Sequence, residues 1–182
     1  MAKKIGFIGL GKMGLPMALN LCKAGFSVFV CSSKPESQQK ILEAGGQTAE
    51  SFAQMAQICD VVITIVPADA EILDLYKGEN GILAAAADGL ICIDMTSAKG
   101  ITKKAIARYA QDMNLNVTFI DAPVSGGVAG AQNGTLTIMV GCEDAQFEEN
   151  MDIFKAMGKK IVHTGPVGRQ SQIGRASCRE RV

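Results

Sequence analysis

No charge of one sign dominates this chain: 18 lysines and arginines stand against 18 aspartates and glutamates, for a formal net charge of zero. A balanced chain lacks the electrostatic footprint of a nucleic-acid or anionic-membrane binder, so neither is expected as a partner. No apolar run approaches the roughly 18 residues that a membrane-crossing helix requires. Met1-Ala-Lys-Lys4 leads straight into a strand pattern, with no signal-peptide hydrophobic stretch. These absences lead to the expectation of a cytoplasmic protein. No C-x-x-C occurs among Cys22, Cys31, Cys59, Cys92, Cys142 and Cys178, several of which sit in apolar segments. That spacing argues against a disulfide framework and against a metal site, and no metal is expected. The single histidine, His163, lies in an apolar strand pattern and reads as a packed residue rather than a base.

Arginine is almost missing from the body of the chain, where only Arg108 occurs, while Arg169, Arg175, Arg179 and Arg181 crowd the end. Residues Ile173–Val182 show no periodicity and resemble a common sequencing adapter translated in frame. The expected division is therefore a domain over 1–168 and an artefactual tail over 169–182, adapter-like from about 172. The natural protein is then expected to be longer than this chain.

What the sequence does contain is a regular alternation of strand and helix patterns. Lys3–Gly9, Phe26–Cys31, Asp60–Val66, Leu90–Asp94, Val117–Asp121, Thr135–Val140 and Lys160–Thr164 read as strands. Met13–Ala24, Pro35–Ala44, Ser51–Gln57, Asp69–Tyr76, Gly100–Met113 and Asp144–Met157 read as helices. Asp60–Val66 is a nearly continuous β-branched run, as a strand buried on both faces demands. Alternation of this kind predicts an α/β fold with a doubly wound, mainly parallel Rossmann sheet.

The first strand runs into Gly9-Leu10-Gly11-Lys12-Met13-Gly14, a G-x-G-x-x-G turn followed by a helix. In that motif the first glycine turns the chain, the second lets backbone approach a pyrophosphate, and the third lets helix pack on strand. The helix N-terminus adds free N–H groups and partial positive charge. These six residues are the candidate pyrophosphate cradle. In an open parallel sheet, ligands lie at the carboxyl ends of the strands. Those ends carry Ser32-Ser33-Lys34, Val66-Pro67, Thr96-Ser97 and Ser125-Gly126-Gly127. After the second strand, NAD sites place a carboxylate for the ribose diol, whereas NADP sites supply donors and cations for the 2′-phosphate. Here Ser32, Ser33 and Lys34 occupy the position and the first acid, Glu36, lies beyond Pro35. NADP is the favoured cofactor, with NAD possible. Ser125-Gly126-Gly127 sets a hydroxyl beside two unobstructed N–H groups, a nest suited to a carboxylate.

Gly6–Leu21, Asp121-Ala-Pro-Val-Ser-Gly-Gly127, Gly134-Thr-Leu-Thr-Ile-Met-Val-Gly141 and His163-Thr-Gly-Pro-Val-Gly168 together resemble the β-hydroxyacid dehydrogenase family, of which 3-hydroxyisobutyrate dehydrogenase and tartronate semialdehyde reductase are members. The resemblance covers residues 3 to about 168. It implies NAD(P)-dependent interconversion of a small 3-hydroxy acid and its semialdehyde. By position, Val66 and Pro67 would line the adenosine side, Thr96 and Ser97 would approach the nicotinamide ribose, and Ser125, Gly126 and Gly127 would grip the substrate. The family's general acid/base is a lysine on the helix after the segment matching Gly165–Gly168. This chain departs there, reading Arg169-Gln170-Ser171-Gln172 with no lysine. Lys155, Lys159 and Lys160 precede the motif and read as surface charges. The family's all-α C-terminal domain is likewise missing, so the chain is expected to be inactive and its full-length parent a homodimer or homotetramer. The alternative is a non-catalytic dinucleotide-binding module or sensor.

Overall fold

The computed structural model describes residues 3–32, 34–67 and 69–168. Six parallel strands form the main sheet in the order β3-β2-β1-β4-β5-β6. They are β1 (Lys4–Ile8), β2 (Ser27–Val30), β3 (Gln47–Thr48), β4 (Val61–Thr64), β5 (Ile91–Asp94) and β6 (Thr118–Asp121). Helices α1 (Gly14–Lys23), α2 (Pro35–Glu43), α3 (Phe52–Ile58), α4 (Asp69–Lys77) and α5 (Gly100–Asp112) make the crossovers, with a short 3-10 helix at Ile82–Ala85. The strand order reverses between β1 and β4, which both leave the sheet at its centre, and this is where a doubly wound fold opens a crevice.

Alternation along the central strands builds two cores. Val61 and Ile63 of β4 pack with Met17 and Leu21 of α1, while Val62 joins Met55, Ile72 and Tyr76 on the opposite face. Every residue of β4 is buried, which is why its sequence is a continuous β-branched run and not an alternating one. Each fully buried Ile, Leu or Phe contributes on the order of 1.5–3 kcal/mol, so these two layers set the positions of the strand ends.

Past β6 the structure departs from a single sheet. The Thr135–Val140 and Lys160–Thr164 segments do not extend the main sheet. They form β8 (Leu136–Val140) and β9 (Gly158–His163), joined by β7 (Val124–Ser125) in a separate sheet of order β7-β8-β9. Ala122 makes the last bond to β5, its N–H to the Asp94 carbonyl at 2.8 Å, and from there the chain pairs with β8, whose Met139 N–H bonds the Pro123 carbonyl at 3.0 Å. Asp121 and Gly141 exchange backbone hydrogen bonds of 3.1 and 2.7 Å that rivet the two sheets together. In β8, Leu136, Ile138 and Val140 are buried while Thr137 and Met139 are half-buried, the alternation of a sheet with one covered face.

Two further differences have local causes. The Asp144–Met157 segment is two helices, α7 (Asp144–Glu149) and α8 (Met151–Met157), because buried Asn150 turns its Nδ2 onto the Gln146 carbonyl at 2.9 Å and breaks the helical run. The stretch after the Ser-Gly-Gly sequence forms α6 (Gly127–Asn133), closed by Gly134 in the left-handed conformation at φ 64°.

Candidate functional site

The turn after β1 is held by two contacts that tolerate only glycine. A Cβ at Gly9, where φ is +102°, would lie 2.0 Å from the Ile65 carbonyl oxygen. A Cβ at Gly14 would lie 1.8 Å from the Gly9 carbonyl oxygen. Gly11 is different: a Cβ there would meet nothing within 4 Å. Packing therefore explains the outer glycines and leaves the middle one unexplained by the protein itself. An outside group approaching the backbone supplies the missing reason, as pyrophosphate binding requires. Helix α1 starts here with no side-chain cap and no acidic residue in its first turn, which leaves its positive end for an anion.

This turn walls a cleft of about 490 Å³ at the reversal point of the strand order. Gly9, Leu10, Gly11, Lys12, Met13 and Gly14 line it, as do Ser32, Lys34, Val66 and Pro67, so ten residues singled out in the sequence come together. Among the described residues its lining includes two lysines, Lys12 and Lys34, and no carboxylate. Glu36 is exposed in the first turn of α2 and does not line it. The Ser32 hydroxyl oxygen accepts the Lys34 N–H at 3.0 Å, which shapes the turn and aligns Lys34 at the head of α2. Ser33 lies outside the described residues. Ser37 was not anticipated; its hydroxyl donates to the Leu10 carbonyl at 3.4 Å and ties α2 to the glycine turn. Cys31 and Phe52 also line the cleft, and burial pushes the Cys31 thiol pKa up, away from reactivity.

Thr96 and Ser97 sit at the end of β5, outside this cleft. Thr96 is buried, and its hydroxyl is already engaged: it donates to Asp94 Oδ1 at 2.7 Å and accepts the Val66 N–H at 3.1 Å. Thr96 thus stitches the ends of β4 and β5 together, while Ser97 is exposed. Asp94 Oδ1 also accepts from the Thr64 hydroxyl at 2.9 Å. With that proton committed, Thr64 accepts from Tyr76 Oη at 3.0 Å. Ser125, Gly126 and Gly127 are exposed at the start of α6, with positive φ at both glycines (137° and 62°). Ser125 ends β7 and the two glycines follow it, so the three stand after β6, next along the same strand-end edge, and not in the cleft of the glycine turn.

The residue that sequence reasoning missed is Lys103. Its side chain is buried beneath the ends of β5 and β6, with Nζ 2.7 Å from Asp94 Oδ2 and 2.6 Å from Asp121 Oδ1. It also donates to the Thr96 carbonyl at 2.8 Å. Burial raises the Asp121 pKa, and the Lys103 ammonium opposes that rise. No one-dimensional signal marks Lys103, since a Lys-Lys pair on an amphipathic helix reads as solvated. Lys155, Lys159 and Lys160 are exposed, as expected of surface charges. His163 is half-buried, stacks on Phe147 at 4.5 Å between ring centres and has Nε2 2.8 Å from the Cys142 carbonyl. Among the described residues there is no helix long and apolar enough to cross a membrane, and no cluster fit to hold a metal ion.

Asp69 ties α4 to α5. Its Oδ1 accepts the Lys99 N–H at 3.0 Å and the Thr102 hydroxyl at 2.7 Å, capping α5 from the head of α4. The Thr102 and Lys99 bonds hold its pKa below the usual carboxylate range. A depressed folded-state pKa stabilises above the unfolded value of about 3.9 and is lost as pH falls through the folded one. Asp69→Ala is therefore expected to lower the urea midpoint at pH 6 and to make no difference near pH 2. A difference that persisted at the acid end would show that the bonds do not depend on the charge.

The chain matches, over residues 4–165, the family described as the NAD binding domain of 6-phosphogluconate dehydrogenase. It is 43% identical over 168 residues to an oxidoreductase of Bacillus subtilis, YkwC, covering 92% of this chain and 58% of that one. It is 39% identical over 164 residues to the mitochondrial 3-hydroxyisobutyrate dehydrogenase of Mus musculus, covering 90% and 48%. The structure of 3-hydroxyisobutyrate dehydrogenase from Mycobacterium tuberculosis with L-serine superposes with a TM-score of 0.87 at 30% identity, over 97% of this chain and 59% of that one. The chain thus spans about half the length of the curated relatives it matches. From the glycine turn, the strand order and these matches, the chain belongs to the family of the NAD-binding domain of 6-phosphogluconate dehydrogenase, with 3-hydroxyisobutyrate dehydrogenase-like relatives.

Proposed function

We propose that this chain is the dinucleotide-binding part, residues 1–168, of an NAD(P)-dependent oxidoreductase that interconverts a small 3-hydroxy acid and its semialdehyde. The observation that carries the reading is Gly11, open to the cleft and unconstrained by the protein, between two glycines that packing requires. The names of the relatives support the substrate class. When bound, the nicotinamide ring supplies the hydride donor or acceptor. The protein's own work is to hold and orient. The turn Gly9–Gly14 and the head of α1 receive the pyrophosphate. Val66 and Pro67 line the adenosine side. Thr96 sets the Val66 edge through its hydroxyl, and Ser97 faces the nicotinamide ribose. Ser125, Gly126 and Gly127 hold the substrate carboxylate and hydroxyl, the nest of two positive-φ glycines presenting N–H groups.

NADP is the favoured cofactor. Ser32, Ser33 and Lys34 offer donors and a cation for a 2′-phosphate, and among the described residues the cleft lining holds no carboxylate for a diol. Fluorescence titration is expected to show tighter binding of NADPH than of NADH. Lys34→Glu should shift the ratio toward NADH by about tenfold, on the order of 1.4 kcal/mol. Equal affinities in the parent chain would remove the NADP assignment and leave NAD.

Residues 169–182, outside the described residues, contain no lysine. Without a general acid/base, which is worth roughly 10²–10⁴-fold, the 182-residue chain is expected to bind cofactor without turning over 3-hydroxy acids. Cofactor-dependent oxidation by the purified chain would contradict this. A cytoplasmic location and a homodimeric or homotetrameric full-length protein complete the proposal; sedimentation of the full-length protein tests the latter.

A further inference from the structure

We infer that Lys103 is a positioning residue for the nicotinamide end of the cleft, an inference that rests on the dinucleotide reading above. Its ammonium lies among four oxygens: Asp94 Oδ2 at 2.7 Å, Asp121 Oδ1 at 2.6 Å, and the carbonyls of Thr96 at 2.8 Å and Asp94 at 3.3 Å. The lysine is 1% exposed and the two aspartates 0% and 2%. A methionine would fill the same space without desolvating a cation. Besides neutralising the two carboxylates, the ammonium adds direction, because its hydrogen bonds to Asp121 Oδ1 and to the Thr96 and Asp94 carbonyls each fix one atom in place.

Those atoms belong to consecutive strand ends. The Thr96 carbonyl is drawn inward onto Nζ while its hydroxyl holds the Val66 N–H, so one cation links the edges of β4 and β5. Ser97 follows Thr96 directly and is left exposed. Asp121 closes β6, and its carboxylate is bonded both to Lys103 and to the backbone of Gly168. Gly168 is itself wedged against α5, where a Cβ would fall 2.9 Å from the Gly100 carbonyl oxygen. The His163–Gly168 segment is thereby anchored at the same point as the Thr96–Ser97 turn. On the adenosine side, Val66 is joined to this cluster by its N–H to the Thr96 hydroxyl and not by the ammonium, and among the described residues the side-chain hydrogen bonds of the glycine turn and the end of β2 run to each other and to α2.

That asymmetry gives the test. Calorimetry with the 182-residue chain would compare NADPH, which spans both ends, with adenosine 2′,5′-bisphosphate, which reaches only the adenosine side. Lys103→Gln, which keeps a donor and removes the charge, is expected to weaken NADPH about tenfold and to leave the bisphosphate within about twofold. A general loosening of the fold would weaken both ligands, and an inert residue neither; either result overturns the inference. Should Lys103→Gln be too unstable to purify, Asp121→Asn weakens the same anchor with the ammonium kept, and is judged by the same split. In the unaltered chain, hydrogen exchange at Ser97 and Gly168 is expected to slow with NADPH and not with the bisphosphate; equal protection by both ligands, or by neither, overturns it. If the unaltered chain binds neither ligand, the dinucleotide reading falls and this inference with it. Intact binding with an unsplit response removes the inference alone.

Discussion

Gly11→Val is expected to fold normally and to lose dinucleotide affinity by at least about a hundredfold, close to 2.8 kcal/mol, whereas Gly14→Ala is expected not to fold. The contrast comes from the same six-residue turn. At Gly14 a methyl group would overlap the Gly9 carbonyl oxygen at 1.8 Å and press on Ile65 Cγ2 at 2.9 Å. The Ile65 methyl could shift, but the Gly9 carbonyl cannot retreat without pulling α1 off the sheet, so the cost exceeds about 4 kcal/mol, the range reserved for severe steric or strain defects. Gly9→Ala belongs with it, since the methyl would lie 2.0 Å from the Ile65 carbonyl oxygen at a φ of +102°. At Gly11 nothing lies within 4 Å, so the folded state accommodates a side chain. A side chain there occupies the space through which a pyrophosphate reaches the backbone and the head of α1. Circular dichroism, urea unfolding and fluorescence titration on the three variants separate the two outcomes. A Gly11→Val protein that binds NADPH at parental affinity would show that the turn is structural only, and the proposed function would lose its main support.

Lys103→Ala is expected to destabilise the fold by about 3–5 kcal/mol, the usual consequence of removing one partner from a buried ion pair. The ammonium neutralises two carboxylates that are almost wholly buried, and without it Asp94 and Asp121 are left as uncompensated charges beneath the sheet edge. Adding Asp121→Asn removes one of those charges, so the double variant should recover about 1–2 kcal/mol relative to additivity. The pH dependence has a definite sign. Burial raises the Asp121 pKa in the folded state above its unfolded value. The folded chain therefore holds that proton to higher pH, and stability declines as pH rises through the interval above about 3.9. Lys103 opposes the rise, so its removal should carry the decline to higher pH. Urea midpoints between pH 4 and 8, at constant m, provide the measurement. A loss below about 1 kcal/mol, well short of the buried-pair range, would mean that the site admits water freely.

The fold was legible because its signals are local and periodic. The β-branched run of β4, the glycine turn and the helical spacing of α1 each record a burial pattern that one stretch of chain carries by itself. The cleft beside the glycine turn was legible in part for a related reason: in a doubly wound sheet the ligand edge follows from strand direction, and residues named at the ends of β1, β2 and β4 line it, whereas those named after β5 and β6 do not. The break into two sheets was harder to see. β8 reads as a strand in either arrangement, and only its pairing with β7 and β9 decides which sheet it joins. The two-residue strand β3 pairs with β2 through exposed residues, which leave no apolar pattern to detect.

By itself, then, the amino-acid sequence determined the strand and helix succession, the parallel sheet, the glycine turn and the residue types at the strand ends, because backbone sterics and hydrophobic period act over a few neighbours. Tertiary structure alone decided which hydroxyls stay available and which are committed. Thr96 and Ser97 are adjacent and chemically alike, yet the first is locked between Asp94 and Val66 and the second faces outward. It also made Lys103 a buried cation and left its neighbour Lys104 exposed. The difference between the two lysines is one residue, about 100° of helical rotation, and that rotation acquires meaning only when α5 packs with Asp94 and Asp121 beneath it.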